Sequence, residues 1–371
     1  MGGRGWLCAQ RYSVSSPPSR VRGPSTMLRL PLFEFRAPRT IAESARILNG
    51  EGGNAMVVAG GTDLLPNMKR RQQAPGMLVS LRNVPGLRDI QFGEAGCRLG
   101  ACLTLTEIAQ EPRFRGGSSS LWQAAAQVAT PPIRNMATLG GNICLDTRCN
   151  YYNQSYEWRK AIDFCIKKDG TRCWVAPSSR KCVAVSSTDT APALIALGAR
   201  VRLVSHSGER EVLLSDLYNN DGIDYLTRRP DEIVTEVLVD ALQGWRSTYW
   251  KLRRRGSFDF PVLSVAAAVK TVKDGIVEGA QIVIGSAASR PLMAMQAANF
   301  LMGRTLSNEV IDETAGLAFR IAKPLDNTDF DMTWRKRVTG EFVKYALREL
   351  RGDDMRAERI SLTRQAFHPS V

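Results

Sequence analysis

Histidine is almost missing from this chain of 371 residues, which contains only His206 and His368. Histidine is the side chain best suited to proton transfer near neutral pH, and it is a frequent zinc ligand. Its scarcity therefore disfavours histidine-based catalysis and zinc sites that combine cysteine with histidine. His206 lies in a turn-like sequence and is expected to be exposed to solvent.

Long apolar runs and several catalytic motifs are also missing. No apolar run approaches 18 residues, so no membrane-spanning helix is predicted. The patterns G-x-G-x-x-G, G-x-x-x-x-G-K-[ST], G-x-S-x-G and H-E-x-x-H do not occur, which disfavours a Rossmann site, a P-loop, a hydrolase nucleophile and a zincin. There is no secretory hydrophobic region, so the eight cysteines are expected to be reduced in the cytoplasm and open to metal or redox roles.

Basic residues outnumber acidic ones, and the formal net charge is +14. Such a balance is compatible with nucleic acid, an acidic partner protein, an anionic ligand or an ordinary solvated surface. The basic clusters at 69–71 and 253–255 lack interleaved aromatic residues at a regular spacing, which disfavours nucleic acid. Solvation accounts for most of the charge, and an acidic partner is the functional alternative.

The chain divides into an extension, two folded parts and a tail. Residues 1–26 contain four arginines and no acidic residue, and they lack helical or strand periodicity. They are predicted to be a disordered extension; a transit peptide has a similar composition, and translation from Met27 would remove them altogether. We predict an α+β fold with a first domain at 27–244, a second at 245–352 and a frayed tail at 353–371.

The second domain is predicted to be a three-stranded sheet followed by helices. Three strand-like segments and three helical segments follow one another at 248–252, 262–272, 276–284, 291–302, 308–322 and 333–350. Lys273-Asp274-Gly275 has the composition of a hairpin turn between the last two strands. In the first domain the pattern predicts a helix at 41–48 capped by Thr40 and strands at 55–59 and 77–81.

Two glycine-rich segments indicate a ligand. The first segment, Gly60-Gly61-Thr62-Asp63, follows the predicted strand at 55–59, and the second, Thr138-Leu139-Gly140-Gly141-Asn142, follows a helix that ends near Pro131. Bare glycine backbone lets N–H groups approach a phosphate, and the neighbouring hydroxyl and amide side chains add polar contacts. Either segment alone is a common structural turn. Together they are predicted to hold the two sides of a dinucleotide diphosphate.

Four cysteines lie close together in a stretch that is poor in aliphatic residues. They are Cys149, Cys165, Cys173 and Cys182, with gaps of 15, 7 and 8 residues. Zinc sites usually contain closely spaced cysteine pairs, so this spacing favours an iron–sulfur cluster, with zinc or a structural role as alternatives. Spacing alone does not exclude Cys144 as a ligand, although its place at a predicted strand end favours a core role. Cys97 and Cys102 are predicted to be small buried hydrophobic residues.

The glycine segments, together with Asp189-Thr190-Ala191-Pro192 and Trp250-Lys251-Leu252, resemble the flavin subunits of molybdenum hydroxylases, the family of xanthine dehydrogenase and the carbon monoxide dehydrogenase medium chain. The resemblance covers about residues 28–350. It implies a two-part FAD-binding domain of that type, followed by a smaller C-terminal domain. About 40 extra residues precede Asp189, and this insert, at about 145–185, resembles that of the 4-hydroxybenzoyl-CoA reductase branch, where it binds a [4Fe–4S] cluster.

The resemblance also implies roles for individual residues. The cluster ligands would be Cys149, Cys165, Cys173 and Cys182, but not Cys144. The residues that hold FAD would be Ala59, Gly60, Gly61, Thr62, Asp63, Leu64, Ala137, Thr138, Gly141, Asn142, Asp189, Val234 and Lys251. Within this set, Asp189 would bind ribityl or ribose hydroxyls, Val234 would make an apolar flavin contact and Lys251 would lie near the flavin ring. No catalytic residue is implied, because the substrate binds another subunit.

The partners implied by the resemblance are a molybdopterin-binding large subunit and a [2Fe–2S] small subunit, assembled as a dimer of heterotrimers, with ferredoxin as electron donor. Electrons would pass from ferredoxin through the [4Fe–4S] cluster and FAD towards molybdenum, for the reductive dehydroxylation of 4-hydroxybenzoyl-CoA to benzoyl-CoA. Two alternatives are kept. One is a related hydroxylase that oxidises another aromatic or heterocyclic substrate, and the other is a non-catalytic interaction module stapled by a metal.

Overall fold

Residues 28–364 are described by the structure, which is a computed structural model. The predicted extension at 1–26 and the end of the predicted tail, from 365 onwards, lie outside the described residues. Between residues 28 and 364, no helix is both long and apolar enough to cross a membrane. Three sheets and a set of mostly short helices make up this part of the chain, in the α+β arrangement predicted from the sequence.

A small parallel sheet carries the first glycine segment. Its strands are β1 (Glu34–Arg36), β2 (Ala55–Val58) and β3 (Met77–Ser80), in the order β1-β3-β2. Helix α1 (Ile41–Glu51) starts where Thr40 accepts a hydrogen bond from the Glu43 amide at 3.1 Å, which confirms the predicted cap. Helix α2 (Leu64–Lys69) follows β2. The glycine segment therefore lies at the carboxyl end of a parallel strand, where ligands commonly bind.

A five-stranded antiparallel sheet forms the second half of the first domain. Its strands are β4 (Ile90–Gly93), β5 (Gly96–Gly100), β6 (Arg200–Ser205), β7 (Gly208–Leu213) and β8 (Ile233–Asp240), in the order β4-β5-β8-β6-β7. Val201, Leu203 and Val237 are fully buried on one face of this sheet. On the other face, Arg202 pairs with Glu236 at 2.8 Å. The alternation fits a sheet with one face on the core.

Six further helices of the described chain belong to the first domain, and one of them lies within the predicted insert. They are α3 (Leu105–Gln110), α4 (Ser119–Ala126), α5 (Pro131–Arg134), α6 (Leu139–Ile143), α7 (Tyr156–Ala161) and α8 (Thr190–Ala196). Every residue of α8 is buried, and this helix packs against α4, α6 and the C-terminal sheet. Asp189 immediately precedes α8, so it is held at the centre of the molecule.

The C-terminal domain has a four-stranded sheet rather than the three strands that were predicted. Its elements are β9 (Trp245–Leu252), β10 (Leu263–Thr271), β11 (Val277–Gly285), β12 (Leu292–Met293), α9 (Met295–Leu301), α10 (Asn308–Ile321), α11 (Met332–Arg351) and α12 (Arg356–Arg364). The strands are antiparallel in the order β12-β11-β10-β9. Strand β12 occupies the start of the helix predicted at 291–302, because Met293 pairs with Val283 of β11. Two residues are too few to show strand periodicity.

The tail is not frayed throughout its described part, which corrects the prediction for 353–371. Helix α12 forms there, and Arg359 holds it against the C-terminal domain. The Arg359 guanidinium pairs with Glu349 of α11 at 2.6 Å and donates to the Thr248 hydroxyl of β9 at 2.9 Å. A charge-assisted contact of this kind orders a segment that has little apolar surface.

The predicted insert leaves the fold and returns to it through a narrow neck. Arg148 and Val185 exchange two backbone hydrogen bonds, of 2.8 and 2.7 Å, so the two ends of the insert lie side by side. Between Arg148 and Val185, the described chain contains a single helix, α7. Cys144 terminates helix α6 and does not lie at a strand end as predicted, because Thr138 caps a helix at this point.

Candidate functional site

The first glycine segment presents a row of unused amide groups. Gly61 has a φ of +71°, which turns the chain sharply between β2 and α2. Within the described part of the chain, none of the amides of residues 60–64 donates a hydrogen bond. A Cβ at Gly60 would overlap the carbonyl of Met136, so only glycine allows the two segments to approach this closely. Successive free N–H groups in such a turn are suited to an anion.

The second glycine segment has a different construction. Helix α6 spans it, and Thr138 caps the helix by accepting from the Gly141 amide at 3.2 Å. The Leu139 and Gly140 amides are also used within the chain, donating to the carbonyls of Leu103 and Ala101 at 2.8 Å each. This segment therefore offers side chains and close backbone approach rather than free amides. The sequence predicts that both segments present free backbone amides to a phosphate, but in the structure only the first segment presents a row of free amides.

A cleft of about 710 Å³ lies between the two segments. Twelve of the thirteen predicted FAD-binding residues line it: Ala59, Gly60, Gly61, Thr62, Asp63, Leu64, Ala137, Thr138, Gly141, Asn142, Asp189 and Val234. They come from four regions that are distant in sequence, namely the turn after β2, helix α6 with the residues before it, the residue that precedes α8, and the start of β8. The volume lies in the range of small-molecule and cofactor sites.

Lys251, the thirteenth residue, lies behind the cleft wall. Its ammonium group is buried and contacts Asp189 at 3.0 Å and the carbonyl of Gln127 at 3.0 Å. The Tyr249 hydroxyl donates to the same carboxylate at 2.6 Å. Burial raises the pKa of Asp189, and the charge of Lys251 acts in the opposite direction. Lys251 therefore contacts Asp189, which lines the cleft, but does not line the cleft itself. Its direct contact with a flavin ring stays a prediction.

Asn142 connects two walls of the cleft. Its side-chain carbonyl accepts three hydrogen bonds, from the Thr188 hydroxyl at 2.9 Å, the Thr190 amide at 3.0 Å and the Thr190 hydroxyl at 2.7 Å. These contacts join α6 to the start of α8 and so fix the position of Asp189. Asn142 itself also lines the cleft.

Ser187 and Arg148 belong to the cleft wall, and neither was predicted from the sequence. Ser187 is buried, lines the cleft and has a hydroxyl without a hydrogen-bond partner in the described chain. Buried hydroxyls are normally paired, so this one is available to a ligand. Arg148 also lines the cleft, forms an ion pair with Asp63 and stacks over the Phe260 ring at 3.9 Å. The polar run before Asp189 is a signal for Ser187; no local signal indicates Arg148.

The four predicted ligand cysteines converge in the insert. Cys165, Cys173 and Cys182 are buried, and Cys149 is half-buried. The pKa of Cys149 is raised to about 12, chiefly by burial, and the neighbouring thiols of Cys182 and Cys165 act in the same direction. Burial likewise raises the pKa of Cys182 to about 11, and Cys173 and Cys165 act on it in the same direction. The four thiols therefore lie near one another in the insert, in a group that we term the cysteine pocket.

Backbone amides point at the sulfur atoms. The Ala184 amide donates to the Cys182 sulfur at 3.4 Å, and the amides of Tyr151 and Tyr152 lower the pKa of Cys149 by hydrogen bonding to it. Such bonds to sulfur are typical of iron–sulfur sites, where they help to set the potential. Within residues 28–364, no group of three or more His, Cys, Asp or Glu side chains is arranged so that it could hold a metal ion, and the cluster therefore stays a prediction.

The other described cysteines lie outside this pocket. Cys144 lines the cleft between the two glycine segments, where it ends helix α6. Cys102 is buried as predicted, whereas Cys97 is only half-buried and packs against the edge of the core.

Comparison with known proteins decides which ligand the cleft serves. The family of FAD-binding domains in molybdopterin dehydrogenases matches residues 31–240, which is more than half of the chain. The chain is a FAD-binding subunit of the molybdenum hydroxylase family. The C-terminal domain family of the carbon monoxide dehydrogenase flavoprotein matches residues 247–350 of this FAD-binding subunit.

Curated relatives extend over most of this FAD-binding subunit. The FAD-subunit of nicotinate dehydrogenase from Eubacterium barkeri is 28% identical over 81% of this chain and 87% of its own length. The FAD-binding subunit of an aldehyde oxidoreductase from Escherichia coli is 30% identical over 70% of this chain and 82% of its own length. The carbon monoxide dehydrogenase medium chain from Hydrogenophaga pseudoflava is 25% identical over 85% of this chain and 96% of its own length.

Solved structures show the same fold. Carbon monoxide dehydrogenase from Hydrogenophaga pseudoflava matches with a TM-score of 0.70 and 24% identity, covering 86% of this chain and 97% of that one. Quinoline 2-oxidoreductase from Pseudomonas putida 86 matches with a TM-score of 0.69 and 21% identity over the same shares. The FAD-binding subunit thus has the predicted two-part FAD domain followed by a C-terminal domain.

The cleft of this FAD-binding subunit fits FAD. Free amides at residues 60–64 are available to a diphosphate, and the unpaired Ser187 hydroxyl faces the same space. The carboxylate of Asp189 lies in the wall, held by Lys251 and Tyr249.

Proposed function

We propose that this chain is the electron-transfer subunit of a molybdenum enzyme like 4-hydroxybenzoyl-CoA reductase, and that it carries a [4Fe–4S] cluster in addition to FAD. The feature that supports this most directly is the set of four insert cysteines, three of them buried, in a segment that begins beside Arg148 of the FAD cleft. Arg148 joins the two sites, because it precedes Cys149 and forms an ion pair with Asp63 of the first glycine segment.

The cleft residues would hold FAD in one orientation. Free amides at 60–64 bind the diphosphate, with Thr62, Thr138 and Gly141 beside it. Asp189 accepts from a ribityl or ribose hydroxyl, and Lys251 with Tyr249 keeps that carboxylate in place. Val234 supplies an apolar contact.

The insert would hold the cluster away from water. A cubane cluster takes one thiolate at each of four irons, and four cysteines without histidine match that demand. When bound, the cluster and FAD supply the redox chemistry, and the chain positions them and tunes their potentials through burial, hydrogen bonds and nearby charge.

The assembly we propose contains a molybdopterin-binding large subunit and a [2Fe–2S] small subunit, as a dimer of heterotrimers, with ferredoxin as donor, in the cytoplasm. Relatives are named as medium chains or as subunits of dehydrogenases, which supports a multi-subunit enzyme. The reaction would add two electrons and two protons to 4-hydroxybenzoyl-CoA and release benzoyl-CoA and water. Ferredoxins are acidic, so the net charge of +14 favours steered docking, and the rate of reduction should fall as ionic strength rises.

A second candidate is a hydroxylase of the same family that oxidises another aromatic or heterocyclic substrate. Names among the relatives favour it, since they include a nicotinate dehydrogenase and a nicotine 6-hydroxylase. The third alternative, a non-catalytic metal-stapled module, does not account for the FAD family match.

Cofactor analysis of the purified chain tests the cluster. We expect FAD together with about four irons and four sulfides per chain, as a single cubane cluster requires. Cys165→Ser should lose the iron and keep the FAD, whereas the control Cys97→Ser should keep both, because Cys97 lies in β5 outside the pocket. Unchanged iron in Cys165→Ser, or zinc in place of iron, would contradict the proposal.

Assay of the assembled enzyme separates the two candidates. With a reduced ferredoxin, formation of benzoyl-CoA from 4-hydroxybenzoyl-CoA is the expected result. Turnover of an N-heterocycle such as nicotinate, with none of the thioester, would favour the hydroxylase instead.

A further inference from the structure

A buried ion pair lies between the FAD cleft and the cysteine pocket. Asp146 lines the cleft, and its carboxylate accepts from the Lys167 ammonium at 2.8 Å. The side chains are 7% and 6% exposed, so both charges are shielded from water. Lys167 follows Cys165 by two residues, in a turn that the amides of Lys168 and Gly170 close by donating to the Cys165 carbonyl at 2.9 and 3.1 Å.

All three donors of the Lys167 ammonium are used. Besides Asp146, it donates to the Thr147 hydroxyl at 2.5 Å and to the Gly222 carbonyl at 2.6 Å. The rings of Tyr152 and Tyr225 lie 4.6 and 5.4 Å from the same nitrogen. These contacts hold the ammonium at one place, so its charge acts from a fixed position.

Gly222 lies between the Lys167 ammonium and the thiol of Cys182. Its amide donates to the Cys182 carbonyl at 2.7 Å, and a Cβ built on Gly222 would lie 2.7 Å from the Cys182 sulfur. The carbonyl that accepts from Lys167 therefore belongs to a residue that touches a predicted ligand. Burial is the largest influence on the pKa of Cys182 and raises it, and the charge of Lys167 acts in the opposite direction.

We propose that the Lys167 ammonium, balanced by Asp146, sets the reduction potential of the [4Fe–4S] cluster and so tunes the driving force between cluster and FAD. This inference rests on the proposed function, since it needs the cluster. Each electron that enters the cluster adds one negative charge beside the ammonium, and a fixed cation stabilises that reduced form. The carboxylate of Asp146, on the cleft side, offsets part of the effect.

If Lys167 only held the fold together, its variants would behave differently than if its charge set the cluster potential. Lys167→Gln keeps a hydrogen-bonding group and removes the charge, so the cluster potential should become more negative. Lys167→Arg should restore a value near that of the native chain. Asp146→Asn leaves the ammonium without its counter-charge, so the potential should shift in the opposite, positive direction. Lys168→Gln is the matched control, because Lys168 is the next residue, is 38% exposed and pairs only with Asp169 at the surface.

The measurement is a redox titration of the cluster, followed by electron paramagnetic resonance, in the full chain purified with its cofactors. Iron and FAD content are determined first for every variant. The expected shifts should persist at high salt, because a buried charge is screened little, and Lys168→Gln should show no shift. If Lys167→Gln fails to retain iron, Asp146→Asn becomes the test: a positive shift of its cluster potential supports the proposal, and no shift or a negative one overturns it.

The possible failures are distinguishable. A native chain that binds FAD but no iron overturns the proposed function and this inference with it. A chain with its full iron content, in which Lys167→Gln matches Lys168→Gln or Asp146→Asn shifts in the same direction as Lys167→Gln, overturns the inference alone.

Discussion

The ion pair between Asp189 and Lys251 behind the FAD cleft makes a quantitative prediction. Both side chains are almost completely buried, and the ammonium lies 3.0 Å from the carboxylate. Removing one partner of a buried pair costs about 3–5 kcal/mol, because the other charge is left without compensation. Lys251→Met and Asp189→Asn should each lose stability of this size, and the double variant should lie closer to the native chain. For a chain of this size the melting temperature should fall by about 4–6 °C.

The pH dependence of the two single variants should have opposite signs. Burial already raises the pKa of Asp189 above its ordinary value of 3.8, and removal of Lys251 raises it further. The deficit of Lys251→Met should therefore be smallest below pH 3.8, where the carboxyl is protonated in both the folded and the unfolded chain, and it should grow as the pH rises above this value. Burial lowers the pKa of Lys251 below 10.5, so the deficit of Asp189→Asn should shrink as pH rises towards that value.

Thermal unfolding from mildly acidic to alkaline pH, with and without FAD, measures these effects. Lys270→Met is the matched control, since Lys270 and Glu278 form a 2.7 Å pair that is 39% and 52% exposed. Exposed pairs contribute about 0–1 kcal/mol, so this control should change little. If Lys251→Met cost no more than the control, or if both single variants responded to pH in the same direction, the assignment of this pair as a buried determinant of stability would be refuted.

Three further predictions concern the cleft. Gly60→Ala should lower FAD occupancy, read from flavin absorbance, because the new methyl group would overlap the Met136 carbonyl. Gly50→Ala is the control and should keep its FAD, because nothing lies within 4 Å of that position. Equal FAD occupancy in the two variants would count against the close approach of the two glycine segments. Ser187→Ala should weaken FAD binding by about 0.5–1.5 kcal/mol in a fluorescence titration without changing the stability of the FAD-free chain; a loss of stability there would show a structural role. Asn142→Ala leaves three buried donors unpaired and should cost at least about 2 kcal/mol in urea unfolding, and a neutral result would refute the bridging role.

The parts of the site that the sequence predicts depend on local signals. A short apolar run followed by two glycines identifies β2 and its turn, because both strand and turn are encoded by neighbouring residues. The Thr40 cap and the turn at Lys273-Asp274-Gly275 are predictable for the same reason. The family motifs then locate most of the cleft lining.

The rest depends on contacts between distant residues. Helix α6 forms across two glycines because Ala101 and Leu103 accept its first amides, and no local pattern reveals those partners. Strand β12 exists only through its pairing with β11. Lys167 reaches Asp146, 21 residues earlier, because the insert folds back on its neck, and neither residue type nor spacing indicates that pair.

The neck at Arg148 and Val185 bears on how such a subunit can gain or lose a redox centre. Because two hydrogen bonds close the neck, the distance between α6 and α8 is set by residues outside the cysteine-bearing segment. A short turn could bridge the same gap at little entropic cost. A single genetic insertion at the neck could therefore add the segment to an ancestral flavoprotein, but a graft onto another protein would also need the surface that Gln72, Arg70 and Asn327 provide for it.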